Sequence, residues 1–127
     1  LEPYIITIPG ISYNLGGRIV GEIGDISRFK SAKSLVKYAG INPSMKESAD
    51  SASKINRITK QGNSFLRRAL YLAASCAVRS KGYLQDFYLK KRSEGREHRL
   101  ALNAVARKLC HLIFAIMYNQ TPYKNCN

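Results

Sequence analysis

Two groups of residues in this chain have types and spacings that could do chemistry. The first is a run of serines, Ser44, Ser48, Ser51 and Ser53, crowded into one short stretch. A serine hydroxyl attacks phosphorus or carbon when a base activates it and nearby cations stabilise the developing charge. No G-x-S-x-G turn surrounds these serines, and neither His98 nor His111 is close in sequence. Residue types alone therefore favour a linker, or hydrogen-bond donors to phosphate, over a nucleophile. The second group is basic. From Ser51 to Gln85 the chain holds Lys54, Arg57, Lys60, Arg67, Arg68, Arg79 and Lys81, and neither Asp nor Glu. Solvated faces usually mix signs, so an acid-free run of this length points to a polyanion. Within it, Gln61-Gly62-Asn63-Ser64 opens a helix. Amides at a helix start, with Asn63, Lys60, Arg67 and Arg68 nearby, are suited to a phosphate.

A third feature is the apolar turn Ile8-Pro9-Gly10-Ile11, of the kind found in helix-hairpin-helix DNA binders. Gly10 could let the backbone approach a phosphate, or the turn could be structural only. Ser12 stands where such hairpins usually carry a second glycine.

The whole composition agrees with an anionic partner. The 127 residues include 21 Lys and Arg against 8 Asp and Glu, a net charge of +13. Such an excess repels itself in a compact fold and usually serves a polyanion. Nucleic acid is the expected partner, ahead of an anionic membrane surface. The longest apolar run, Leu112 to Met117, is far too short to span a bilayer. Cys76, Cys110 and Cys126 are odd in number and include no CxxC pair, so reduced thiols in a cytoplasmic protein are expected. The acids are scattered, so no metal site is expected in this chain. The absence of an initiator Met at Leu1 suggests a fragment of a longer protein.

The elements that must position these residues read as helical. Leu15, Ile19, Val20 and Ile23 have helical spacing, and Gly24-Asp25 ends that segment. Gly16 and Gly17 weaken it by about 1 kcal/mol each relative to Ala, which suggests close backbone approach. A second helix is predicted over Arg28 to Ala39, stopped by Gly40. Residues 42–62 break the pattern and read as a long surface loop, with a short β-hairpin near Lys54 to Thr59. Asn63 or Ser64 caps a helix to about Ser80. Another runs from Tyr83 to Ser93 and is closed by Gly95. The last runs from about Glu97 to Tyr118 and is apolar enough to sit centrally, with Arg99, Asn103, Arg107 and His111 as its polar stripe. The expectation is one mainly all-α domain over 1–127. It comprises a helix-hairpin-helix-like part at 1–40, a serine-rich basic loop at 41–62 and a three-helix bundle at 63–119.

The string IPGISYNLGGRIVGEIGDISRFKSAKSLVKYAGINPS, then RITKQGNSFLRRALYLAA, then ALNAVARKL, resembles the Tnp domain of insertion-sequence one-ten (also one-sixteen and nine-oh-two) family transposases. The resemblance runs from about Ile8 to Tyr123. It implies a DNA transposase in which a separate RuvC-like domain, N-terminal to this chain, supplies four acids for magnesium. The Tnp domain supplies a serine that attacks the scissile phosphodiester. In the family that serine follows the AG-x-x-P segment by a few residues, which marks Ser48, with Ser51 as the second candidate. Ala49 stands where the family usually has Gly. The resemblance further implies DNA as partner, paired subunits in the full-length protein, a guide RNA in some members, and association with the bacterial nucleoid during transposition. A helical nucleic-acid-binding module without catalysis is the alternative function.

Overall fold

A computed structural model describes residues 4–41 and 62–123 of the chain. Their five α-helices are α1 (Tyr13–Ile23), α2 (Ala32–Ala39), α3 (Ser64–Ala77), α4 (Tyr83–Ser93) and α5 (His98–Asn119). Three-residue 3-10 turns, Ile5–Thr7 and Ile26–Arg28, precede α1 and α2. No strand occurs among the described residues, and the fold is all-α as expected. The hairpin expected near Lys54 to Thr59 lies outside the described residues.

Side-chain caps set three of the helix starts. Ser12 Oγ accepts the Leu15 amide at 3.2 Å, Ser31 Oγ the Ser34 amide at 3.4 Å, and Asn63 Oδ1 the Leu66 amide at 3.0 Å. Each gives a side-chain acceptor to an amide in the first turn of its helix, where amides lack a full set of intrahelical partners. The second helix starts later than its apolar spacing predicts, at Ala32 instead of Arg28. Asp25 Oδ1 instead caps the 3-10 turn by taking the Ser27 amide and hydroxyl, and Ser31 is extended at φ −161°. This break turns Phe29 into the core, where it is 8% exposed. Gly40 ends α2 in the left-handed region at φ +77°, as its position suggested.

The core forms around α5, which packs against α2, α3 and α4, while α1 packs on α3. Leu102, Val105, Leu109 and Ile113 on α5 meet Leu66, Ala69, Leu70 and Ala73 on α3 within one buried cluster. By length and composition α5 is apolar enough to cross a membrane, but 61% of that stretch is buried inside this fold. Its apolar character is that of a core helix.

The alanines of α3 leave room for the Pro9-Gly10 turn. A Cβ on Gly10 would lie 2.6 Å from Ala73 O and Ala77 N, and Gly10 sits at φ +93°. Packing against α3 thus requires a glycine there. Among the described residues the turn is preceded by the 3-10 turn Ile5–Thr7 and followed by α1. Gly16 is approached by side chains, not by backbone: a Cβ there would lie 3.2 Å from Cγ2 of both Ile5 and Ile6. Cys110 is fully buried, and burial pushes its thiol up to about 12, whereas Cys76 is exposed.

Candidate nucleic-acid interface

The best-defined polar arrangement lies where the chain enters and leaves residues 42–61. Asn63 is its centre. Its backbone amide donates to Tyr38 O at 2.7 Å, and its Nδ2 donates to Glu22 Oε1 at 2.9 Å and to Tyr38 Oη at 3.0 Å. With Oδ1 taken by the Leu66 amide, every polar atom of the side chain is used. One residue thereby ties the C-terminal turn of α1, the last turn of α2 and the start of α3. The helix start expected to hold a phosphate through Asn63 is therefore occupied on that side chain by the protein itself.

Neighbouring contacts draw the two chain ends together. A Cβ on Gly62 would lie 2.9 Å from Gly40 Cα, so the two glycines face each other backbone to backbone. Arg67 Nη1 donates to Ala39 O and Arg107 Nη1 to Ile41 O, both at 3.4 Å. Arg28 closes α1 by donating from Nε to Ile23 O at 2.9 Å. Its guanidinium lies 4.7 Å from the Phe29 ring centre and 4.8 Å from that of Tyr38. Hydrogen bonding from Asn63, followed by Arg28, holds the Tyr38 hydroxyl below its ordinary range. Three arginines thus surround the base of the segment.

Of the residues singled out in the sequence, Asn63 and Arg67 meet at this base, and Arg68 is exposed one position on along α3. Gly10 packs against the other end of α3. Ser48, Ser51, Lys54, Arg57 and Lys60 lie outside the described residues. Lys30, ahead of α2, and Lys33 and Lys37 on it are exposed. Sequence reasoning missed Glu22, Arg28 and Tyr38, whose roles depend on contacts distant in the chain. Among the described residues no three His, Cys, Asp or Glu side chains come together.

The helices framing this base fall within one stretch of family similarity. The family described as "Transposase IS116/IS110/IS902 family" matches residues 2–89. The chain belongs to the IS116/IS110/IS902 transposase family. It is 34% identical, over 89% of its length, to the insertion element IS116 44.8 kDa protein of Streptomyces clavuligerus. It is 28% identical over 98% of its length to the insertion element IS110 43.6 kDa protein of Streptomyces coelicolor. It is also similar to the pilin gene-inverting protein of Moraxella bovis, with 32% identity over 94% of the chain. The chain spans 28%, 31% and 37% of the lengths of these three family relatives.

Proposed function

We propose that this member of the transposase family binds DNA through its basic surface and carries, at Ser48, the nucleophile of a DNA transposase or recombinase. The observation that carries the reading is the fixed base formed by Asn63, Tyr38 and Glu22. It holds together the two ends of the segment bearing Ser48, Lys54, Arg57 and Lys60, with Arg67 and Arg107 beside it. A serine attack on phosphorus needs a defined approach and cations for the phosphoryl oxygens, and this arrangement supplies an anchor and positive charge. The names of the relatives agree, since moving an insertion element and inverting a gene both break and rejoin DNA.

In the proposed step the Ser48 Oγ–phosphorus bond forms while one ester bond from phosphorus to a deoxyribose oxygen breaks. The hydroxyl proton passes to the leaving oxygen, so the phosphodiester linkage is conserved as a phosphoserine ester. Magnesium, when bound by a RuvC-like domain outside this chain, would stabilise charge on the phosphoryl oxygens. Paired subunits, and a guide RNA, extend the proposal to the full-length protein.

The test is an adduct assay on the full-length transposase. DNA carrying the element's end is incubated with the wild type, Ser48→Ala and Ser51→Ala, then run on a denaturing gel. The expected result is a covalent protein–DNA band in the wild type and Ser51→Ala and none in Ser48→Ala, with DNA binding nearly intact. A hydroxyl that only bonds a phosphate contributes about 1 kcal/mol, so its loss would cost under about tenfold and leave an adduct. A band lost only in Ser51→Ala transfers the role to Ser51. A band in all three removes the serine mechanism and leaves a DNA-binding module.

A further inference from the structure

Between the first turns of α3 and the N-terminal half of α5 lies an open groove of about 500 Å³, lined by Ser64, Arg67, Arg68, Tyr71, Arg99 and Asn103 among others. Asn103 is the feature that distinguishes it. It is the one buried polar residue among the described residues, 6% exposed, and no described residue gives its carboxamide a hydrogen bond. Buried polar groups in native proteins are nearly always hydrogen-bonded, so an unsatisfied one on a groove wall points to a partner from outside. Arg68 and Arg99 are exposed on the same groove, and neither has an acidic partner among the described residues.

We infer that this groove is a phosphodiester-binding subsite, in which the Asn103 Nδ2 hydrogen-bonds one backbone phosphate of bound DNA and Arg68 and Arg99 neutralise it. The inference deepens the proposed function and rests on its DNA-binding half alone, independent of Ser48. The chemistry is specific. A carboxamide N–H and two guanidinia offer only donors and positive charge to a group of phosphate geometry. The space is nucleotide-sized, so the attached sugar can lie along the apolar wall made by Tyr71 and Leu72. Arg67, committed in part to Ala39 O, links this groove to the base of the 42–61 segment.

Three variants of the chain test it by fluorescence anisotropy with a labelled DNA duplex, alongside thermal melts. Asn103→Leu keeps the size and removes the polar atoms. It should leave the melting temperature unchanged or raised, because the unsatisfied group is gone, and weaken DNA binding about tenfold. Arg68→Ala and Arg99→Ala should each flatten the slope of log affinity against log salt by about 0.9. Should Asn103→Leu prove unstable, Asn103→Asp preserves the shape and sets a carboxylate against the phosphate. It should weaken binding more than tenfold at neutral pH. A wild type that binds DNA while all the variants bind equally well overturns the subsite alone and leaves the proposed function standing. It would also point to an acidic protein surface as the occupant. A wild type that binds no DNA at low salt overturns both.

Discussion

The Asn63 carboxamide donates to the Glu22 carboxylate at 2.9 Å, although 41 residues separate them. The same nitrogen donates to the Tyr38 hydroxyl, and the same side chain caps α3. The cap is thus also a three-way junction. It fixes α3 relative to α1 and α2 at the point where residues 42–61 depart and return. A helix cap alone would order one terminus. This one orders the frame on which the proposed nucleophile segment is mounted.

Asn63→Ala should destabilise the chain by about 2 to 3 kcal/mol, combining the lost cap with the loss of partners for Glu22 and Tyr38. Asn63→Asp preserves the cap acceptor but brings a second carboxylate against Glu22. Mutual repulsion disfavours the folded state whenever both carboxylates are ionised. Stability contributed by the pair is then present at low pH and lost as the pH rises through the carboxylate range. Urea melts from about pH 4 to about pH 7 should show the variant weakening relative to wild type along the series. A constant difference would remove Glu22 from the junction.

Gly10→Ala distinguishes the packing reading of the Pro9-Gly10 turn from the phosphate-binding one. Its Cβ would strike the α3 backbone at Ala73 and Ala77 from a φ of +93°, and α3 cannot yield without losing helix hydrogen bonds. The expected cost is about 3 kcal/mol in chemical denaturation. At temperatures where the variant is still folded, its DNA affinity should match the wild type. Equal stability with weakened DNA binding would instead return the turn to phosphate contact.

The helices from α3 onward were legible through local signals and composition: Asn63 ahead of α3, Gly95 after α4, and the long apolar stretch of α5. Boundaries shifted where a tertiary contact outweighed the period. Phe29 fits the α2 spacing, yet it enters the core from a break that Asp25 and Ser31 cap. The Pro9-Gly10 turn was legible as a turn, but not the surface it meets, since nothing local reports the backbone of α3. The same applies to Glu22, Arg28 and Tyr38, which act only once α1, α2 and α3 converge. Asn103 was visible in a polar stripe with Arg99, Arg107 and His111. Nothing in that stripe set Asn103 apart from the other three, and it is the packing of α3 on α5 that buries it. The positions proposed for cleavage fall in residues 42–61, where family resemblance alone selects Ser48.

His111 offers a readout of the charge across α2 and α5. Desolvation, followed by the positive charges of Lys108 and Lys33, lowers its pKa from the ordinary 6.5. The folded state therefore favours neutral imidazole, so the stability it contributes is present above 6.5 and is lost as the pH falls toward the folded value. An NMR titration of the imidazole should give a midpoint below 6.5, raised in Lys33→Ala and in Lys108→Ala. A midpoint at or above 6.5 that neither variant moves would show that α2 and α5 do not share this field.

The net charge of +13 makes a prediction about salt. If the basic surface binds DNA through backbone phosphates, binding releases condensed counterions and affinity falls steeply with ionic strength. With about six phosphate contacts, affinity should drop about a thousandfold between roughly 50 and roughly 200 mM salt. Sequence should matter little, because phosphate contacts position a protein without reading bases. Replacing Lys54, Arg57 and Lys60 together with Ala should lower the log–log slope by about three contacts, at constant melting temperature if these side chains serve the ligand alone. Arg67→Ala should lower the slope by about one, with some loss of stability because its guanidinium also bonds Ala39 O. The measurement is a duplex titration at several salt concentrations with two unrelated sequences. A flat salt response, or a strong preference for one sequence that survives high salt, would contradict backbone binding and leave the charge without a DNA role.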